Sequence, residues 1–76
     1  MMLDTTMILQ LLHERPGRYI QRSMGDYSMM DANGVAVTVR EDGKDFLVEP
    51  TAEQMNDLMA ASHLICHGSK YTAVPD

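Results

Sequence analysis

The chain has 76 residues, a formal charge of −5 and an apolar content of 45%. That length holds one domain with a small core and leaves no room for a substrate cleft between two lobes, which argues against an enzyme. The apolar content sets the chain apart from disordered tails, and the acidic balance argues against direct binding of nucleic acid, because phosphate contact needs Lys and Arg.

One cysteine, Cys66, excludes an internal disulfide and agrees with a reducing compartment. The start Met-Met-Leu-Asp puts no basic residue ahead of its apolar run, so it does not read as a secretory signal. No segment nears the roughly 20 apolar residues of a membrane span. The expectation is a single cytoplasmic domain spanning 1–76, with no membrane contact.

Asp4 stands where a helix N-cap would accept backbone N–H groups, and Met7, Ile8, Leu11 and Leu12 follow at helical spacing. Pro16-Gly17 stops that helix. From Arg18 to Pro50 the period becomes two, with turn signals at Gly25-Asp26, Asn33-Gly34 and Asp42-Gly43. These predict a four-stranded antiparallel meander over roughly 18–24, 27–31, 35–40 and 44–49. A two-residue turn at Asp42-Gly43 pairs Val39 with Phe46 and Val37 with Val48, so one face is apolar. The same rule at Asn33-Gly34 pairs Met30 with Val37. Met30 then joins the core, while Tyr27 and Met29 fall on the opposite face with Leu47, Ile20 and Met24.

Thr51-Ala52-Glu53-Gln54 is a capping-box pattern that opens a second helix, with Met55, Leu58, Met59 and Ser62 inward and Glu53 and Asp57 outward. His63–His67 and Lys70–Val74 read as a short terminal hairpin around Gly68-Ser69. The fold class is α+β, with two helices covering one face of an antiparallel sheet.

His63, Cys66 and His67 lie close in sequence, yet alternation along a strand sends Cys66 and His67 to opposite faces. A structural zinc site usually joins two separated ligand pairs, and a nucleophilic cysteine needs a base, an orienting group and an oxyanion site. The pattern supplies neither arrangement, and no catalytic residue, metal or cofactor is expected. The carboxylates Asp42, Asp45 and Glu49 around one hairpin lack the spacing of a calcium loop.

The charge is lopsided along the chain. Glu41, Asp42, Asp45, Glu49, Glu53 and Asp57 stand against Lys44 alone, whereas Glu14, Arg15, Arg18 and Arg22 carry a positive excess. Carboxylates at fixed spacing imitate phosphates and steer a basic partner. The candidate contact set is therefore Glu41, Asp42, Asp45, Glu49, Glu53 and Asp57, together with the Tyr27/Met29 patch, which would serve a partner or a homodimer.

In size, acidity and lack of motifs, the chain resembles small phage or mobile-element inhibitor proteins, anti-CRISPR proteins among them. This resemblance implies a non-enzymatic, protein-binding inhibitor whose target is a basic complex that handles nucleic acid. The second half, with Pro50-Thr51-Ala52-Glu53-Gln54-Met55, Leu64-Ile65 and Tyr71-Thr72-Ala73-Val74, resembles the helix-plus-wing ending of winged-helix proteins. A winged helix sets another helix closely before its recognition helix, and here four strands intervene. That likeness implies the alternative function, a DNA-binding regulator using Arg15, Arg18, Arg22 and Lys70.

Overall fold

A computed structural model describes residues 3–75. Met1 and Met2, the first residues of the start that does not read as a secretory signal, lie outside the described residues. The elements run α1 (Thr5–Glu14), β1 (Tyr19–Ser23), β2 (Asp26–Met30), β3 (Thr38–Glu41), β4 (Lys44–Leu47), α2 (Ala52–Ala60), β5 (Leu64–His67) and β6 (Lys70–Ala73). The α+β class and the order of elements are those expected from the sequence.

Helix α1 begins where the Asp4 carboxylate accepts from the Met7 N–H at 2.8 Å, satisfying one of the four donors a helix start leaves unpaired. It ends at Arg15, whose backbone is extended (φ −137°, ψ 141°) because the following proline disfavours the helical conformation. Ile8 and Leu12 are its buried residues, while Met7 faces out. Helix α2 carries the full capping box: Thr51 Oγ1 accepts from the Gln54 N–H, and Gln54 Oε1 accepts from the Thr51 N–H. Its far end closes with the Ser62 N–H on the Met59 carbonyl and the His63 N–H on the Leu58 carbonyl. This is a Schellman arrangement with Ser62 in the left-handed position (φ 60°) that glycine usually fills. Ser62 thus terminates α2 instead of lining its inner side, and Met59 is exposed.

The four-stranded antiparallel sheet is drawn from different strands than the sequence order suggests. Its order is β2-β1-β6-β5, while β3 and β4 form a separate two-stranded ribbon. The terminal hairpin joins the first one through Ile20↔Tyr71 and Gln21↔Lys70. An Arg22 N–H donating to the Ser69 carbonyl at 2.7 Å continues that seam. By alternation, Ile20, Met29, Leu64 and Tyr71 share one face, and with Ile8, Leu12, Met55 and Leu58 from the helices they make the core. Burying a side chain of this kind stabilises the fold by roughly 1.5–3 kcal/mol.

The first hairpin turns one residue earlier than expected, which moves its partners by two and keeps its faces, and the register after it shifts by one. The first hairpin turns at Met24-Gly25, pairing Ser23 with Asp26 and Ile20 with Met29. The next turn holds three residues: Asp31 N–H donates to the Val35 carbonyl and Met30 bridges Ala36. Asp31 Oδ1 accepts from the Asn33 and Val35 N–H groups and fixes that loop. A one-residue slip exchanges the two faces of a strand. Met29 is accordingly wholly buried, at 0% exposure, and Met30 is the residue turned away from the core.

Candidate binding surfaces

The ribbon β3–β4 has the predicted register, with Val39 opposite Phe46 and Glu41 opposite Lys44. It meets the main sheet only at its base. There the Met29 N–H donates to the Val48 carbonyl (2.9 Å), the Val37 N–H to the Met29 carbonyl (2.9 Å) and the Val48 N–H to the Val37 carbonyl (3.3 Å). Val37 and Val48 are buried at this root; beyond it every ribbon residue except half-buried Val39 is exposed. Leu47 is 51% exposed and Phe46 36%, so apolar groups stand in solvent beside the carboxylates of Glu41, Asp42 and Asp45.

The structure places the acidic residues unevenly. Arg40 lies 3.6 Å from Asp45 and donates to the Gly43 carbonyl at 3.2 Å, and Lys44 sits across from Glu41. The ribbon therefore carries two cations against three carboxylates, a smaller excess than the stretch from Glu41 onward suggests. Glu49 follows the ribbon and is exposed, as are Glu53 and Asp57 on α2. Glu53 stands in the first turn of that helix, where the dipole favours an anion.

The Tyr27/Met29 patch is not a surface patch. Met29 is in the core, and Tyr27 is half-buried against it. The ring of Tyr27 meets the ring of Tyr71 edge-on, 5.9 Å between centroids, on the sheet face that carries the core. Cys66 is exposed, and its thiol sits 3.3 Å from the Gly68 carbonyl. Burial raises the pKa of the neighbouring Tyr71, with further upward contributions from Cys66 and Tyr27 and a smaller opposing one from Arg22. Among the described residues, no three His, Cys, Asp or Glu side chains come together in a way that would hold a metal ion.

A second surface gathers residues that sequence reasoning names only as scattered cations. A groove of about 460 Å³ is bounded by the end of α1, the loop 15–18 and the outer side of β1, β5 and β6. It gathers His13, Arg15, Arg18, Tyr19, His67 and Lys70. Lys70 Nζ rests 4.9 Å from the centre of the Tyr19 ring. Arg18 Nη1 donates to the Leu11 carbonyl at 2.7 Å and lies 4.0 Å from Glu14, so this side chain caps the carbonyl end of α1.

Of the four cations weighed for DNA contact, Arg15, Arg18 and Lys70 share the groove, whereas Arg22 lies on the opposite sheet face by alternation. The hairpin after α2 also differs from a peripheral wing, because β6 sits inside the sheet between β1 and β5.

No protein family, curated protein or solved structure matches the chain. No helix among the described residues is long and apolar enough to cross a membrane.

Proposed function

We propose that the chain is a non-enzymatic protein-binding module that acts as an inhibitor and presents the β3–β4 ribbon to a basic partner. The supporting observation is the ribbon itself: a two-stranded sheet of its own with Phe46 and Leu47 exposed beside Glu41, Asp42 and Asp45. Exposed apolar groups supply contact energy in an interface, and neighbouring charges select and steer the partner. Glu49, Glu53 and Asp57 carry the negative charge onward to α2, which favours a basic surface such as a nucleic-acid-handling complex offers. The resemblance to small phage or mobile-element inhibitors in size, acidity and lack of motifs agrees with this reading, and the exposed thiol of Cys66 suits a reducing cytoplasm.

The test is affinity capture from host lysate, with and without nuclease, comparing the native chain with the triple variant Asp42→Lys, Asp45→Lys, Glu49→Lys. The native chain is expected to retain a protein complex after nuclease treatment. The variant should lose it, with at least about a tenfold drop in affinity, while its circular dichroism is unchanged. Equal retention by the variant would sink the acidic-ribbon reading. Capture that disappears with nuclease would transfer the function to the alternative, a nucleic-acid-binding regulator.

A further inference from the structure

We infer that the groove at the end of α1 binds a phosphate-bearing ligand the size of one nucleotide, with Arg15 and Lys70 as the phosphate contacts. This site is separate from the ribbon and does not depend on it.

The first argument is charge. The chain has six Lys and Arg residues and a net charge of −5. Three of those six, Arg15, Arg18 and Lys70, line this one groove, and among the described residues no Asp or Glu side chain is part of its wall. The nearest carboxylate in the ion-pair geometry is Glu14, 4.0 Å from Arg18 and directed to it. The residues come from opposite ends of the sequence, and packing β6 beside β1 brings them together.

The second argument is that the cations have divided tasks. The carbonyl end of a helix carries negative partial charge, which would repel an anion. Arg18 covers that end through its bond to the Leu11 carbonyl, leaving exposed Arg15 and Lys70 to face the groove. Lys70 is held over the Tyr19 ring instead of ranging through solvent, so less rotamer freedom is lost when it grips a ligand. His67 stands directly across from Lys70 in the strand register and adds an imidazole to the same rim.

Size and shape set the ligand class. A volume of about 460 Å³ lies within the range of roughly 300–1,000 Å³ typical of small-ligand sites. Leu12, Pro16 and Pro75 give the groove apolar wall beside its cations. A cationic rim joined to an apolar wall suits an organic phosphate with a flat ring, and a nucleotide is the simplest such ligand. The acidic remainder of the molecule repels a long polyanion more than a single phosphate group. The ligand is therefore one nucleotide unit, free or belonging to a strand.

The experiment is a nitrogen-15 NMR titration of the full chain with inorganic phosphate, adenosine monophosphate and a short oligothymidylate. The nucleotide is expected to shift amides in 13–19 and 67–73 and to leave the ribbon amides still. The double variant Arg15→Gln, Lys70→Gln changes two exposed side chains and should keep the native spectrum while losing about tenfold or more in affinity. Oligonucleotide binding at the same amides, weakening by about 0.7 log units per phosphate contacted for each tenfold rise in salt, would assign the nucleotide to a strand. Saturation by the free nucleotide alone would assign it to the small molecule. Inorganic phosphate binding as tightly as the nucleotide would overturn the nucleotide assignment. Shifts centred on Arg22 or Arg40, or none at all, would overturn the site. Because no ribbon residue takes part, this result and the lysate capture can fail independently.

Discussion

Two methionines five positions apart show what decides the fate of a residue here. Met29 is wholly buried and Met24 is 99% exposed, although both are flexible apolar side chains. Composition cannot separate them; only the strand register does, and the register depends on where each turn falls. The periodicity did place Ile8, Leu12, Met55, Leu58, Val37 and Val48 in the core, because turn signals or caps fixed the phase of those segments. Tyr71 belongs to the same core face, and its burial has a consequence at high pH. Its pKa is raised above 10.0, so the folded chain holds this proton at a pH where the unfolded chain has begun to release it. The stabilisation is complete below the unfolded value and is lost as pH rises from there through the folded value. Tyr71→Phe removes that titration. In denaturant titrations between neutral and strongly alkaline pH, the stability difference between native chain and variant should shift steadily in favour of phenylalanine. A difference that stays constant with pH would show that Tyr71 does not govern the alkaline limb.

At the scale of the element, the tight turns are the places where sequence was readable and where it misled. Asp42 (φ 52°) and Gly43 (φ 77°) form a turn with both central residues left-handed, the geometry the Asp-Gly pair favours. Reading that pair gave the right register for the ribbon. Met24 (φ 51°) and Gly25 (φ 84°) adopt the same geometry, but methionine is a poor choice for it, so Gly25-Asp26 looked like the better turn. A left-handed conformation costs an ordinary L-residue about 1–2 kcal/mol, less for Asn or Asp. Met24→Asn, at a side chain with no packing role, is expected to recover up to about 1 kcal/mol. In a domain of this size that raises Tm by about 4–8 °C. Calorimetry showing no rise would mean that the turn stores no such strain. Gly17 is the opposite case: at φ +84° it also abuts Ala32, and an added Cβ would come within 2.6 Å of the Ala32 Cβ. No periodic pattern discloses a contact of that kind, because the two residues meet only after the chain has folded back.

For the molecule as a whole, the decisive step is the insertion of β6 between β1 and β5. Local signals foretold each hairpin, and nothing local could say which hairpins would join. That is why the acidic run stood out as a unit in the sequence, while Arg15, Arg18 and Lys70 could be named there only beside Arg22 and not as one groove: they are separated by some fifty positions of chain and converge only through this pairing. The same topology makes the last hairpin essential to the fold. Leu64 and Tyr71 are core residues, each contributing roughly 1.5–3 kcal/mol of burial. Domains of this size have total stabilities of only about 4–11 kcal/mol. A chain ending after Ala61 also strips β1 of a partner strand. It is expected to show no cooperative thermal transition by circular dichroism, and a sharp melt in that fragment would contradict the central role given to β6.

The root of the ribbon has a mechanical consequence. The ribbon is a cantilever clamped at its root by two backbone hydrogen bonds, both made by Met29, a residue with no exposure at all. A load applied at the Asp42-Gly43 tip is carried down both strands and arrives at the middle of the core. A partner that grips the tip therefore acts on the core through the backbone of Met29, whereas rewriting the tip's sequence leaves those two bonds in place.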